Sequence, residues 1–568
     1  MIRQRRSAKL LALLTAFVLT FAACGGDDDD DATAENPDES TPSTEDVDSL
    51  EQGGTVTFAS DQEPTGWNVN TSNDSLAALA YMEAIVLPSP FIVQPDFTVE
   101  LDENLMESAE QTSDDPQTIE YVIKEEAVWN DGTPVTVEDF SYNWEMQNGS
   151  NPDVDVASTT GYDQIESVEP GDDDKTVVVT FSQPFADWQG LFSNLMPAHI
   201  LKDATGWNDS LDGENIPDFS AGPFQFSNYE PGANVTLVPN ESYWGPAPLL
   251  DELVVRFGID APNVPAALEN GEIDLAYPQP QIDLVQQVEA LAPEIDSQIN
   301  FGLSFEHIDF NFLNPHLGKL EVRQAIAFGL DREDLVARTV QQFDERGSVL
   351  NNRLWLTGQP EYQDNAADFA FDPEQARSLL EDAGYTEGSD GIYTHPEDGK
   401  LTLRISTTGG NALRENTEEI IQSQLREVGI DIQIDNREGA EVFDLFFPES
   451  GNFEDANYDL ALFAWVGTPF VVSSSKSLYE CGGGQNEMSY CNEEIGPMFD
   501  DALAATDRQE AVDLMNQVDQ LLWEDMATLP LYTKPTFLPY RTSVANIVDN
   551  PTNQGPLWNA YEWGIKAS

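Results

Sequence analysis

Strand-like runs alternate with helical segments that close on glycine, and this order constrains the fold more than any other feature of the chain. Leu320 to Val336 reads as a helix with Val322, Ala325, Ile326 and Leu330 on one face. Asp372-Pro373 caps a second helix that runs through Asp382 and stops at Gly384. Leu401 to Ser406 is a strand, Asn416 to Val428 a helix ended by Gly429, and Ile430 to Ile434 the strand after it. Such alternation is the mark of the α/β class, helices packed on sheets. No fixed-period repeat is present, which argues against a solenoid or propeller. At 568 residues the chain is too long for one compact core, so several domains sharing interfaces are expected.

Nearer the N-terminus, Gly54 to Ala59 can open a sheet, and Thr118 to Ile123 is rich enough in β-branched and aromatic residues for a largely buried strand. Trp129-Asn-Asp-Gly-Thr-Pro134 is a turn: Asp-Gly supplies a positive φ, and Pro134 blocks helical continuation. Thr136 then caps a helix, with Asp139 three residues on completing a capping box. Ile165–Glu169 and Lys175–Phe181 are strands separated by Pro170-Gly171. Val235–Val238 and Leu253–Phe257 are strands flanking Tyr243-Trp244-Gly245-Pro246.

Charge is the compositional exception. The chain has 25 Lys+Arg against 103 Asp+Glu, a net −78. No basic surface exists to displace phosphate counterions, which argues against nucleic acid. The acidity reads either as a field drawing cations into a cavity or as a hydrated surface suited to salty surroundings. At the N-terminus, Arg3, Arg5, Arg6 and Lys9 precede an apolar stretch, Leu10 to Ala23, too short for the ~20 residues of a spanning helix. Residues 1–23 therefore read as a signal peptide. Ala22-Ala23-Cys24-Gly25 resembles a bacterial lipobox, with Phe21 where Leu is usual, and makes Cys24 the lipidated first residue of the mature protein. Ala8 and Lys9 after Arg5-Arg6 do not supply the apolar pair of a twin-arginine signal, which favours the general secretory route. Residues 24–52, with the run Asp27 to Asp31, read as an acidic disordered tether.

In an exported protein the two remaining cysteines, Cys481 and Cys491, are expected to form a disulfide closing a short loop. Without a CxxC pair, and with only His199, His307, His316 and His395 scattered along the chain, no metal site is expected, and no cofactor is implied. A hydrolase would be the enzyme alternative, but the chain has no GxSxG and no HExxH, and no cysteine stays free. An adhesion role would require a flat, non-closing surface.

The succession of motifs resembles the family 5 solute-binding proteins, the peptide/nickel-type receptors of ABC importers, over nearly everything from Gly53 onward. Trp129-Asn-Asp-Gly-Thr-Pro-Val-Thr-Val-Glu-Asp139 is similar to the family signature, with Val137 in place of the usual Ala. Then follow, in family order, Gly222-Pro-Phe224, Pro231-Gly232, Asn240-Glu-Ser-Tyr-Trp-Gly245 and Gly271-Glu-Ile-Asp274. Val322-Arg-Gln-Ala-Ile326 with Asp331-Arg332, Ala376 through Tyr385, Gln424 through Ile430 and Leu529-Pro-Leu-Tyr532 complete the series.

The resemblance implies an α/β, periplasmic-binding-protein-like type II clam with a third inserted domain. Domain I would comprise 53–78, 218–305 and 531–568, domain II 79–217 and domain III 306–530. Solute would be enclosed between domains I and III by hinge closure. One wall would be Glu63, Pro64, Thr65 and Trp67. The facing wall would be Trp465, Val466, Gly467 and Thr468, with an apolar face at Trp465 and main-chain groups of Val466 and Gly467 pairing with ligand amides. Asn486, after Gly482-Gly-Gly484, would rim the pocket on a loop stiffened by Tyr490 and the disulfide. Oligopeptide receptors of this family often place an Asp where this chain has Thr468, and Glu63 could substitute for it. The other tryptophans, Trp188, Trp244, Trp523, Trp558 and Trp563, and the signature itself, read as scaffold. Peptide is the first solute implied, oligosaccharide the second and nickel the third. The partners implied are a two-subunit permease with two ATPases, the membrane being reached through the lipid anchor only by a monomeric receptor.

Overall fold

A computed structural model of the protein describes residues 45–566 except 46, 61, 73, 438–439, 447–454 and 506–507. The expected signal peptide, the lipidation at Cys24 and the tether as far as residue 44 lie outside the described residues. The end of that expected tether is docked, which corrects its boundary. Glu51 bridges Ile565, Gln52 Nε2 donates to the Leu249 carbonyl at 3.0 Å, and the Glu45 N–H donates to Asn546 Oδ1 at 2.7 Å. Backbone and amide groups that find fixed partners outweigh an acidic composition here.

Three sheets organise the chain. The first has seven strands, in the order Ile295–Gln298, Leu538–Arg541, Leu275–Ala276, Thr55–Ala59, Glu252–Arg256, Asn234–Pro239 and Phe224–Glu230. Thr55–Ala59 is parallel to both neighbours, with Val56 opposite Leu253 and Phe58 opposite Leu275. The second has five strands, in the order Asp431–Ile434, Thr402–Ser406, Leu460–Val466, Phe301–Phe310 and Thr528–Pro535. The third, of four antiparallel strands, runs Met106–Asp114, Gln117–Ile123, Thr176–Phe181 and Ile165–Pro170. In Gln117–Ile123, Ile119, Tyr121 and Ile123 point inward while Thr118, Glu120 and Val122 are half-buried, so one face rather than both is covered.

Two expected domain edges, 305/306 and 530/531, fall inside strands. Phe301–Phe310 and Thr528–Pro535 are antiparallel partners that cross from the first sheet's region into the second. Just before they part, the Thr536 N–H donates to the Asn300 carbonyl at 2.8 Å. Buried Asp549 ties this crossing: it accepts from Asn300 Nδ2 and from the Tyr277 hydroxyl, each at 2.8 Å. One apolar core runs continuously from the first sheet to the third, with Val56, Leu253, Ile119 and Val177 among its members. The second sheet has its own, built on Ile308, Leu403, Leu460 and Ile421.

Local chemistry explains the elements. Trp129 is fully buried; its indole N–H donates to Asp139 Oδ2 at 3.3 Å, and Asp139 also accepts from the Thr136 and Ala198 N–H groups. With Gly132 at φ 89°, the signature segment is a turn and a capped helix. The helix expected over Leu320–Val336 is two, Leu320–Gly329 and Arg332–Arg338, because Asp331 caps the second by accepting from the Asp334 N–H at 3.0 Å. The helix expected from Asn416 begins earlier, at Ala412, where Asn411 caps it.

Glu418 lies fully buried on that helix. Asn436 Nδ2 donates to its Oε2 at 2.7 Å, and Oε1 has no partner among the described residues. Burial pushes its carboxyl from the ordinary 4.5 up to about 8. The folded value stands above the unfolded one, so the fold favours the protonated acid. That contribution is whole below pH 4.5 and is lost as pH rises through 8. Glu418→Gln should therefore raise the unfolding temperature at alkaline pH by roughly 1–3 °C and leave it unchanged in acid, as calorimetry at the two pH values can check.

Candidate functional site

Leu460–Val466 has one covered edge and one partly open edge. Along its length it pairs with Phe301–Phe310, from Phe310 opposite Leu460 to Ser304 opposite Val466. On the other side, Thr402–Ser406 reaches only Leu460 and Ala461, and the Thr407 hydroxyl caps the Leu462 carbonyl at 2.7 Å. The Gly467 N–H donates to the Leu303 carbonyl at 2.7 Å, which fixes the alternation. Residues 463, 465 and 467 direct their main-chain groups to the partner strand, and Ala464 and Val466 direct theirs to the open edge. Gly467 is required at the bend, since a Cβ there would stand 2.7 Å from the Leu303 carbonyl oxygen. Trp465 is half-buried, stacked on His307 with ring centroids 6.1 Å apart and edge-on to Phe463.

This strand end borders a cavity of about 460 Å³. Trp465, Val466, Gly467 and Thr468 form one wall with Leu303 and Phe305. Val69, Asn70 and the segment Asp187–Asn194 form the opposite side. Between them stands the N-terminal half of the helix Val471–Tyr479, which contributes Ser473, Ser474 and Ser475. The lining is neutral and polar, with aromatic and aliphatic patches. Among the described residues its charged members are Asp187 and Arg353. Asp187 is the only acid that the described residues bring to the lining, so these residues build no acid-rich cavity field.

The first expected wall lies elsewhere. Glu63 accepts from the Tyr229 hydroxyl and the Gly232 N–H, both at 2.7 Å, pinning the segment to a hairpin of the first sheet. Pro64 is buried, exposed Thr65 offers its carbonyl to the Gly213 N–H, and Trp67 is fully buried with its indole N–H on the Gly213 carbonyl at 2.8 Å. None of these four lines the cavity; the chain reaches it two residues later, at Val69 and Asn70. Glu63 thus cannot stand in for the missing Asp. Gly467 contributes to the wall, but its N–H is spent on Leu303, and Ala464 carries the open groups beside Val466. The Thr468 hydroxyl accepts from the Phe470 N–H at 3.2 Å and shapes the turn.

Asn486 is buried and works as a clamp. Its Nδ2 donates to the carbonyls of Glu480 and Tyr490, its Oδ1 accepts from the Tyr490 N–H at 3.0 Å, and the adjacent Gln485 reaches the cavity. Cys481 and Cys491 are disulfide-bonded around this loop. A maleimide added to the folded, unreduced protein should modify neither cysteine, and mass spectrometry reads the result. The serines of Val471–Tyr479, together with Asp187 and Arg353, are site residues that sequence reading did not single out.

Residues 100–486 match the family described as bacterial extracellular solute-binding proteins, family 5 Middle. The oligopeptide-binding protein OppA of Mycobacterium tuberculosis is 31% identical over 551 residues, 95% of this chain and 90% of that one. Among solved structures, the periplasmic EDTA-binding protein EppA shares 31% identity at a TM-score of 0.88, covering 94% of this chain and 100% of its own. AppA from Bacillus subtilis, solved with a nonapeptide, superposes at a TM-score of 0.78 over 91% of this chain and 100% of its own, with 22% identity. Sequence, fold and cavity agree with one assignment: the chain belongs to the family 5 bacterial extracellular solute-binding proteins.

Proposed function

We propose that the protein is the solute receptor of an ABC importer, held at the outer face of the cytoplasmic membrane through Cys24, and that it captures short peptides and passes them unaltered to a membrane permease with two ATPase subunits. The observation that carries the peptide reading is the open strand edge beside the cavity. Val466 and Ala464 present main-chain donors and acceptors there, and an extended peptide can add to such an edge whatever its side chains. The neutral lining, rich in Ser, Asn and Gln, supplies further hydrogen bonds, and Trp465 and Phe305 supply apolar contact. A polyanionic chelate of the kind named for EppA fits less well. It would need cationic side chains facing it, and the one cation in the lining, Arg353, is engaged by Asp519 and Thr528.

The test is mass spectrometry of small molecules released by denaturing protein purified from its native host. A ladder of short peptides of mixed sequence is the expected result. A single series of sugars would overturn the peptide reading while leaving a receptor, and would turn attention to the stacking face of Trp465.

A further inference from the structure

Among the described residues Asp187 is the one carboxylate in the cavity lining, and it makes no ion pair within 4.0 Å. It lies on the far wall from Trp465 and reaches across to the helix Val471–Tyr479. There its Oδ2 accepts from the Ser473 N–H at 3.0 Å and from the Ser473 hydroxyl at 2.8 Å. Its Oδ1 accepts no hydrogen bond from any described residue, although a carboxylate has about four acceptor positions. No lysine, arginine or histidine among the described residues stands within 4.0 Å of it. The nearest candidates are engaged: Arg508 pairs with Glu361, and Arg353 with Asp519. Burial holds the Asp187 carboxyl above its usual range, against the Ser473 hydrogen bonds and the more distant Arg508 charge, both of which lower it.

The surroundings suit a cation. A side cavity of about 240 Å³ shares Phe185, Asp187 and Val471 with the main one, so Asp187 stands at their junction. Half-buried Trp188 and the carboxylate of Asp114 also line the side cavity and favour a positive group there, and Arg508, which lines it too, is held by Glu361.

We propose that Asp187 is the cation-recognition residue of the cavity, receiving a primary ammonium or guanidinium of the solute on its open oxygen. The assignment rests on the solute-capture reading but not on the solute being a peptide. Two sources share this chemistry in a peptide, the terminal α-ammonium and a Lys or Arg side chain. The cation completes the charge that Ser473 leaves unbalanced, and a neutral solute leaves it unpaired.

The experiment incubates the full mature protein, stripped of bound solute, with a pool of tri- to pentapeptides. Each peptide is present in free and N-acetylated form, with and without one lysine. Parallel melts contain 1,4-diaminobutane, 1,5-diaminopentane or glycine betaine. Retained peptides are read by mass spectrometry for the wild type and for Asp187→Asn. Asn at 187 keeps an acceptor for Ser473 while removing the charge. Wild type is expected to retain cationic peptides at least about 10-fold over matched neutral ones. Asp187→Asn should lose that preference. Loss on acetylation points to the terminal ammonium, and dependence on lysine to the side chain.

Equal retention of neutral and cationic peptides by the wild type, or an undiminished preference in Asp187→Asn, would overturn the proposal and leave the peptide reading standing. The first of these needs no variant to fold. Binding of a diamine that depends on Asp187, with no peptide retained, would overturn the peptide reading and uphold the cation site. Binding of neither class would overturn both.

Discussion

Arg353→Met is expected to destabilise the lobe built on the second sheet by about 3–5 kcal/mol, the largest effect of any single change considered for this protein. Arg353 and Asp519 are both fully buried and meet at 3.2 Å. The rest of the guanidinium is equally engaged: Nε donates to the Thr528 hydroxyl at 2.9 Å, Nη2 donates to the Thr528 carbonyl at 2.6 Å, and the group lies 4.3 Å over the Trp523 ring. Asp519 also accepts from the Arg353 N–H and from Asn365 Nδ2. Methionine fills the stem's volume but leaves the Asp519 carboxylate and the Thr528 carbonyl short of donors in a dry interior. Removing one ion of a buried pair costs more than removing both, so Arg353→Met/Asp519→Leu should lose less than the single variant. Urea unfolding of wild type, both singles and the double gives the coupling energy. A double variant as unstable as the sum of the two singles would show that the pair acts independently.

Trp465→Ala should weaken solute binding by roughly 30-fold or more while changing stability far less than Arg353→Met. The indole is half-buried, braced by His307 and Phe463, and lines the cavity beside Val466. A rigid aromatic wall next to main-chain donors that no described residue pairs excludes water from the hydrogen bonds a ligand would form there. Trp465→Phe keeps part of that wall and should recover part of the affinity. Calorimetric titration with a peptide identified from the native host reads both. An affinity unchanged in Trp465→Ala would remove the residue from the site.

Short-range patterns made much of the fold legible. Asp139 three residues after Thr136 is a local instruction, as is an Asp-Gly turn before a proline, and the structure uses both. The β-branched and aromatic content of Thr118–Ile123, which marks a strand but not how many of its faces are covered, and the glycines at 384 and 429 worked for the same reason. The helix break at Asp331 was present in the sequence as a capping residue, but the apolar face running past it masked the stop. The site was legible on one wall. Trp465 to Thr468 sit on a strand whose register carries them to the cavity. Glu63 to Trp67 precede the cavity by two residues, and nothing in a tryptophan's identity tells whether its indole faces a ligand or the Gly213 carbonyl. Arg353 could not be told from a surface arginine, because the Asp519 that buries it lies 166 residues away. Asp187 and Ser473 resemble ordinary loop residues until the fold sets them together across 286 positions.

The position of Thr55–Ala59 governs the order in which this molecule can be assembled. The strand lies at the centre of its sheet, yet one flank pairs with residues 197 positions later and the sheet is completed by Leu538–Arg541. A chain delivered from its N-terminus therefore carries its central strand unpaired until residues 252–276 have followed. The third sheet, whose strands lie between residues 106 and 181, can close early. The first cannot close until almost the whole polypeptide is available. A nonsense change that removed only the final thirty or so residues would abolish that sheet's closing strand and leave Leu275–Ala276 and Ile295–Gln298 without the strand that joins them.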